Sequence, residues 1–325
     1  MTALPPPAMP TVDAIWRARE SEAAERPQYE GYGISASKLG KECDRELWYD
    51  LRWVSPAEVF DGRKLRIFER GNIEEDRVIE DLKRAGLSVD EVNPNTGKQW
   101  RFALARGFLR GKADGRVSGV IEAPKTVHTL EIKSARAADW RGVLEHGLRK
   151  HKPDHWHQLH SGMAGLGDDR GLYVMVNKDT EEILTERINF EPEEVTRQEA
   201  RVERLLDDHI GPMRASDDPA AFVCRFCKHK ATCHDGAPAR RNCRTCVFFT
   251  FTSDGNGHCE RFETPKRPDS QHKGADCPAH LFLPALVDGE QVDADPEREL
   301  ITYRMRDGFV WTDGATETHI QESQS

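Results

Sequence analysis

The run Thr129-Leu130-Glu131-Ile132-Lys133-Ser134 is rich in strand-forming residues and carries a carboxylate and an ammonium group two positions apart. Residues two positions apart in a β-strand point to the same face, so Glu131 and Lys133 project together. Leu130 and Ile132 then point into a core. The run therefore predicts a strand with one apolar face and a charged pair on the other.

A second acidic group lies upstream, in Gly111-Lys112-Ala113-Asp114-Gly115. The residues between the two runs include an apolar segment at 117–121 and a proline-containing turn at 122–125. This pattern predicts two neighbouring antiparallel strands that bring Asp114 close to Glu131. Two carboxylates and a lysine at one point are the ingredients of a divalent-metal site for phosphodiester hydrolysis. A salt-bridged surface hairpin is the alternative for these three residues taken alone.

Length and composition favour a globular protein. The chain has 325 residues, of which 37% are hydrophobic and 32% charged, enough for one large domain or two modest ones. No apolar run is long enough for a transmembrane helix, and the N-terminus lacks the regions of a secretory signal, so we expect a cytoplasmic protein without a membrane partner. The net charge of −9 does not favour nucleic acid globally, but the segment from Cys224 to Cys246 carries about +5.

The eight cysteines are spaced like metal ligands. In a cytoplasmic chain, CxxC pairs are more often metal ligands than disulfides. Cys224-x2-Cys227-x5-Cys233 supplies three thiols and needs a fourth ligand. Four further thiols read as a zinc-ribbon-like module in which His258 or His280 could replace one ligand, the alternative being free thiols in a small core. The four are Cys243, Cys246, Cys259 and Cys277.

The order of predicted elements indicates a mixed α/β domain with a central sheet flanked by helices. Residues 1 to about 11 and roughly the last dozen are expected to be disordered or loose. His155, His157 and His160 are predicted to lie on a solvated helix face. Helices are expected at about 12–24, 64–85, from 137, from 154 and at 191–210, with strands at about 87–92, 99–105, 107–112, 171–178 and 182–190 and a hairpin at 300–311.

The helix at 64–85 has the clearest periodic pattern. A glycine inside a helix costs roughly 1 kcal/mol relative to alanine, so Gly71 is expected to allow close packing against the sheet. Glu74 and Glu75 follow it, and composition alone favours a solvated face for both. The predicted apolar face is made of Leu65, Phe68, Ile73, Val78, Ile79 and Leu82.

The order Gly71-x3-Glu75, Gly111-x2-Asp114-Gly115, Glu131-x-Lys133 and then Gln158 resembles the PD-(D/E)XK nuclease superfamily over residues 34–233. It looks closest to the RecB-like and phage-exonuclease branches. The resemblance implies a restriction-endonuclease-like core in which Lys133 orients or deprotonates the attacking water and Gln158 assists. The implied Mg²⁺ or Mn²⁺ ligands are Glu75 (or Glu74, if the register is off by one), Asp114, Glu131 and the backbone carbonyl of Ile132.

The chain departs from the family after Gln158. The family often has a tyrosine four residues later, where this chain has Gly162. Trp156 or His157 is the candidate substitute.

Iron–sulfur members of this superfamily supply a fourth ligand for the first cysteine set. In AddB-type helicase–nucleases and CRISPR-adaptation exonucleases, one cysteine precedes the first motif and three follow the core. That resemblance implies a structural [4Fe–4S] cluster, with Zn²⁺ on the same thiolates as the alternative. It would close a loop of roughly 180 residues. The four ligands would be Cys43, Cys224, Cys227 and Cys233.

Together these features predict a metal-dependent DNA exonuclease, rather than an endonuclease, that acts on DNA ends or single strands in phage or bacterial recombination or repair. A recombination or single-strand-annealing protein is the candidate partner. The alternative is a non-catalytic DNA-binding or scaffolding protein, which the complete Asp114, Glu131 and Lys133 set disfavours. The expected division is a partly disordered segment 1–30, a nuclease domain 31–236, a four-cysteine zinc module 237–285, and a hairpin and tail 286–325.

Overall fold

The computed structural model describes residues 9–25 and 32–314. Of the segments predicted to be disordered or loose, residues 1–8 and 315–325 lie outside the described residues, and α1 already begins at Pro10. The ten α-helices of the described part are α1 (Pro10–Ala24), α2 (Asp44–Arg52), α3 (Gly62–Arg84), α4 (Ala137–His146), α5 (Leu148–His151), α6 (Pro153–Leu166), α7 (Pro192–Asp207), α8 (Phe222–Arg225), α9 (Lys230–His234) and α10 (Pro268–Gln271).

The sixteen strands of the same ranges form five sheets. No helix of the described part is long and apolar enough to cross a membrane. The strands are β1 (Ile34–Ser35), β2 (Ser88–Asp90), β3 (Val92–Asn93), β4 (Lys98–Gln99), β5 (Arg101–Leu104), β6 (Leu109–Lys112), β7 (Gly115–Ser118), β8 (His128–Ala135), β9 (Arg170–Asn177), β10 (Ile183–Asn189), β11 (Phe249–Phe251), β12 (Gly257–Cys259), β13 (Thr264–Lys266), β14 (Gly289–Asp295), β15 (Leu300–Met305) and β16 (Val310–Asp313).

The central sheet has five strands in the order β10-β9-β8-β7-β2. β7 and β8 are antiparallel neighbours, with Gly115 opposite Leu130, as the sequence predicts. β8 and β9 are parallel, and α4, α5 and α6 make the crossover between them. The other pairs are antiparallel, so the sheet is mixed and the α/β class is confirmed.

The two faces of this sheet bury different helices. Leu130 and Ile132 lie on one face, in a core shared with Val78 and Ile79 of α3. The opposite face carries Tyr173 of β9, in a second core that the apolar side chains of α4 and α6 complete. The alternation along β8 therefore puts Glu131 and Lys133 on the face opposite Leu130 and Ile132, as the period of two predicts.

The first half of α3 differs from the sequence expectation. Phe68 and Ile73 are exposed rather than buried. This half of the helix lies beyond the sheet core, and its contacts with α1 do not cover the two side chains. A β-carbon on Gly71 would meet no atom within 4 Å. The prediction that Gly71 serves close packing is therefore wrong, and only the second half of α3 packs on the sheet.

The small sheet β1-β6-β5 contributes to another core, which includes Trp48 of α2 and Phe108 before β6. Phe251 of β11 lies in the same core, with its ring centre 5.0 Å from that of Phe108. The fully buried Arg244 guanidinium lies 3.8 Å from the ring centre of Trp53, which follows α2. Residues 237–285 are thus packed onto the region around α2.

The predicted terminal hairpin is present as β15 and β16. β14 adds a third antiparallel strand beside β15. Its sequence, Gly289-Glu290-Gln291-Val292-Asp293-Ala294-Asp295, is too polar to give a strand signal.

Candidate active site

The ladder between β7 and β8 ends at the pair Gly115 and Leu130. Beyond that pair, the Asp114 side chain takes the place of β7 as the hydrogen-bond partner of β8: the Ile132 N–H donates to Oδ2 of Asp114 at 2.7 Å. The N–H and C=O of one residue in an antiparallel strand point to the same side. The carbonyl of Ile132 therefore faces the gap that β7 leaves, beside the Asp114 carboxylate.

Glu131 and Lys133 form a pair in this gap. Glu131 is only 1% exposed, and the Lys133 ammonium donates to its carboxylate and, at 3.3 Å, to the carbonyl oxygen of Ile132. Burial raises the pKa of Glu131 to about 8, although Lys133 opposes this shift. Burial alone would lower the pKa of Lys133, but Glu131 and Asp114 outweigh it, so this pKa is raised too. The raised pKa of Lys133 indicates that negative charge predominates around its ammonium group.

The third carboxylate comes from α3. Burial, followed by the charge of Asp114, raises the pKa of Glu75 to about 7. Glu74 is buried instead beside Arg77, with its carboxylate 3.2 Å from the guanidinium. Of the two neighbouring glutamates, Glu75 is thus the one coupled electrostatically to the strand carboxylates.

The donor set suits a hard divalent cation. Carboxylate and carbonyl oxygens are the ligands that Mg²⁺ and Mn²⁺ prefer. Burial also raises the pKa of Asp114, so all three desolvated carboxylates would gain from a cation that relieves their repulsion. Within residues 9–25 and 32–314, no group of three His, Cys, Asp or Glu side chains is close enough together to hold a metal ion. At the carboxylate site, the Lys133 ammonium contacts the Glu131 carboxylate.

A cleft of about 650 Å³ opens beside Asp114, and Gln158 of α6 lines it. Asn72, one turn before Glu75 on α3, also lines it. No carboxylate of the described residues lies within 4 Å of its three cationic side chains, so their charges face the cleft without an ion-pair partner. These cations are Arg101, Arg110 and Lys112.

The first four cysteines come together although about 180 residues separate Cys43 from the other three. All line one small cavity of about 20 Å³, with Arg45 and Arg214 beside them. Burial raises the pKa of the Cys227 thiol to about 11 and also raises those of Cys224 and Cys233. A bound cation would reverse these shifts. The four are Cys43, Cys224, Cys227 and Cys233, and none is in a disulfide.

The second four line another cavity, of about 90 Å³. His280 lines it too, with Nε2 located 3.0 Å from the carbonyl oxygen of Asn242. Its buried Nδ1 has no hydrogen-bond partner among the described residues. The four thiols are Cys243, Cys246, Cys259 and Cys277.

No model of a known protein family matches the chain, and no curated protein matches it. Among solved structures it is similar to LHK-Exo in complex with dAMP, with 18% identity over 55% of this chain and 87% of that one, and a TM-score of 0.39. A second LHK-Exo structure, of an alkaline exonuclease from Laribacter hongkongensis, is 17% identical over 60% of this chain and 90% of that one, with a TM-score of 0.39. The structure of SSO0001 is 18% identical over 70% of this chain and 96% of that one, with a TM-score of 0.40. TM-scores of this size carry no argument about function.

Two residues near the carboxylates were missed in the sequence. Tyr173 lies opposite Glu131 in the parallel ladder of β8 and β9. Its hydroxyl is 2.7 Å from Nδ1 of His155. Burial lowers the pKa of His155 to about 4, with Asp154 opposing this shift and Lys133 adding to it. The available signal was the spacing of His155 and Gln158, which are three apart on one helix face.

The prediction of a solvated histidine face is wrong. His160 is fully buried and its ring centre is 4.3 Å from that of Trp156. His157 is 2.7 Å from Glu194 of α7. These side chains are covered because α6 packs between the sheet and α7.

The position of the missing tyrosine is filled from elsewhere. A β-carbon on Gly162 would lie 3.3 Å from Thr129 and 3.7 Å from the ring of Phe102. A β-carbon on Gly165 would lie 2.2 Å from Phe102. Phe102 of β5 thus occupies the space beside this turn of α6. Trp156, a suggested substitute, is buried in the core between the sheet and helices α4 and α6.

Proposed function

We propose that this chain is a divalent-metal-dependent deoxyribonuclease that acts as an exonuclease on DNA ends or single strands. One observation carries the proposal: where β7 leaves β8, Glu75, Asp114 and Glu131 are desolvated and electrostatically coupled around Lys133. The neighbouring cleft presents cations without ion-pair partners, which suits a polyanionic substrate.

Each site residue has a role in this proposal. Glu75, Asp114, Glu131 and the carbonyl of Ile132 would hold Mg²⁺ or Mn²⁺. When bound, such an ion neutralises charge on the phosphate and lowers the pKa of its water. Lys133 orients the attacking water and stabilises negative charge that develops on the phosphate.

Binding residues line the cleft beside this centre. Gln158 positions the DNA strand next to Asp114, and the cleft cations neutralise the phosphates of the DNA. The Tyr173 and His155 pair supports the Glu131 side of the pocket through the sheet. The cleft cations are Arg101, Arg110 and Lys112.

The two cysteine sites are proposed as structural. For Cys43, Cys224, Cys227 and Cys233 we propose a [4Fe–4S] cluster, with Zn²⁺ as the alternative. For Cys243, Cys246, Cys259 and Cys277 we propose Zn²⁺, with His280 able to replace one thiolate. Metal analysis of anaerobically purified protein tests both. Broad visible absorbance with bound iron is expected, and iron-free protein containing zinc alone would remove the cluster.

The same proposal gives the chain a domain division and a setting. Residues 31–236 would form the nuclease domain, 237–285 the zinc module, and 286–325 a terminal extension after it. An exonuclease of this kind would supply processed ends in phage or bacterial recombination or repair in the cytoplasm. A single-strand-annealing or other recombination protein would be its partner.

The activity test uses linear and circular DNA of one sequence. With Mn²⁺, wild type is expected to degrade end-labelled linear DNA and to spare the circle, and Asp114→Ala to lose this activity. Glu74→Gln is the matched control, because Glu74 pairs with Arg77 instead of the site. Cleavage of the circle would change the assignment to endonuclease. If metal-replete wild type is as inert as Asp114→Ala, the chain is a non-catalytic DNA-binding or scaffolding protein.

A further inference from the structure

The second cysteine module, residues 237–285, contacts residues that line the cleft. Its loop between β11 and β12 lies against the turn that precedes β6. A β-carbon on Gly107 of this turn would lie 3.1 Å from Cα of Gly255 in the loop. Both glycines have positive φ angles, +86° and +77°. The two backbones thus meet so closely that a β-carbon on Gly107 would make a contact shorter than most.

Arg110 lies at this contact. Its Nε donates to the carbonyl oxygen of Gly107 at 2.5 Å. A β-carbon on Gly255 would lie 2.9 Å from Nη2 of Arg110, closer than an ordinary van der Waals contact. The guanidinium is therefore enclosed by the Gly107 turn on one side and the module's loop on the other, and the side chain lines the cleft.

A second connection joins the module to the cleft through Tyr32. The buried Arg244 donates from Nη2 to the carbonyl oxygen of Tyr32 at 3.2 Å. Its Nη1 donates to the carbonyl oxygen of Leu51 at 2.7 Å, which anchors the module on α2. Tyr32 lines the cleft, and its ring centre lies 5.9 Å from the Arg110 guanidinium. Two separate parts of the module thus support neighbouring residues of one cleft wall.

We infer that the second cysteine module supports one wall of the DNA cleft from behind, and that Gly255 is a positioning residue that holds the Arg110 guanidinium for a substrate phosphate. This inference rests on the proposed nuclease function and deepens it. The module acts on substrate binding and leaves the chemical step to the carboxylate site. Its cysteines then matter to the enzyme because they fix the loop that carries Gly255.

The test measures binding of a fluorescein-labelled DNA oligonucleotide by anisotropy, with Ca²⁺ in place of Mn²⁺, over a range of salt. Arg110→Gln is expected to raise Kd about tenfold and to reduce the salt slope by about 1, because one phosphate contact is lost. Gly255→Ala is expected to raise Kd severalfold by displacing the guanidinium. Combined with Arg110→Gln, it should add nothing to the increase in Kd.

Two further variants separate positioning from folding. Gly308→Ala introduces the same backbone strain at φ +86°, with no atom within 4 Å of its β-carbon, and should bind like wild type. Gly107→Ala approaches the contact from outside the module and should weaken binding as Gly255→Ala does, which keeps the test open if Gly255→Ala fails to fold.

The outcomes distinguish this inference from the proposed function. Wild-type affinity for both glycine variants, or full additivity with Arg110→Gln, overturns the role of Gly255. An unchanged Kd for Arg110→Gln would show that Arg110 does not contact a substrate phosphate. If wild type does not bind DNA under any of these conditions, the proposed function fails and the inference fails with it.

Discussion

The carboxylate site and the first cysteine site are assembled in opposite ways. Asp114 and Glu131 are brought together by neighbouring strands, and the Asp114 side chain continues the strand ladder itself through the Ile132 amide. Cys43 and Cys224 come from the start of α2 and from the short helix α8, roughly 180 residues apart. The acidic pocket is therefore held by the sheet whether or not a cation is bound, whereas the cysteine cavity depends on what joins its loops.

The largest expected effect is on chemistry at the carboxylate site. Lys133→Met should lower the rate of DNA hydrolysis about a hundred- to a thousandfold, because the charge that faces the reacting phosphate is lost. Mn²⁺ affinity should be unchanged or higher, since an ammonium group that competes for Glu131 is gone. Single-turnover rates at saturating Mn²⁺ measure the effect, with the exposed turn residue Lys125→Met as control. A rate within a few fold of wild type would contradict the role of Lys133.

The cysteine site should respond in stability. Cys43→Ser opens the longest loop that the proposed site closes, which corresponds to about 5 kcal/mol of loop-closure entropy. A loss of that size lowers the melting temperature by about 10 °C or more in a chain of this length. The control is the metal-free form, in which wild type and variant should melt together. Equal melting temperatures in the loaded proteins would mean that Cys43 holds no metal.

A buried carboxylate next to the cysteine site gives a pH test of the same contrast. The carboxylate of Asp50 in α2 lies 2.7 Å from Nζ of Lys38, 2.6 Å from Nζ of Lys228 and 3.2 Å from Nε2 of His229. Burial works to raise its pKa, but His229 and then the two lysines outweigh it and hold the pKa well below the ordinary value of 3.8. Asp50 therefore links α2 to the residues that follow Cys227.

Asp50→Asn should cost about 1–2 kcal/mol at pH 7, because it removes the charge that two partly exposed lysines and the buried His229 ring contact. A carboxylate with a lowered native pKa stabilises the fold above its unfolded pKa, and this contribution fades as the pH falls below about 4. Urea unfolding at pH 7 and pH 3 should thus show a smaller difference between wild type and variant at pH 3. A difference that stays constant with pH would contradict the ionic role.

The smallest expected effect concerns α3. Gly71→Ala should stabilise the protein by about 0.5–1 kcal/mol without changing activity, because the position is helical and open. Gly142→Ala is the matched contrast, since its β-carbon would lie 2.0 Å from the ring of His151 and should destabilise the fold. Denaturant midpoints measure both. Loss of activity in Gly71→Ala would show that Gly71 has a role in the site after all.

The parts of the site that follow from local periodicity were predictable. The alternation along β8 gives the orientation of Glu131 and Lys133, and the turn after β7 gives the approach of Asp114. The choice between Glu74 and Glu75 was not fixed by the helix pattern alone. It depends on how α3 lies on the sheet, and the exposed half of that helix shows that α1 takes part in setting this position.

Residues that depend on long-range register were not predictable. Tyr173 reaches Glu131 only through the parallel pairing of β8 with β9. Helical spacing placed His155 beside Gln158, but its contact with Tyr173 depends on how α6 packs on the sheet. The cysteine spacing indicated two metal sites, but nothing in it indicated that Gly255 of the second module meets Arg110 of β6.

The central claim is that the carboxylates around β7 and β8 bind the catalytic cation, independently of the cysteine sites. The most direct test is a Mn²⁺ titration, followed by electron paramagnetic resonance, of wild type and Asp114→Asn with their cysteine sites loaded. Asparagine keeps an oxygen for the Ile132 N–H, so the fold should be retained. We predict that wild type binds Mn²⁺ and that Asp114→Asn binds it at least about tenfold more weakly. Equal affinity in the two proteins, or no binding by wild type, would contradict the account.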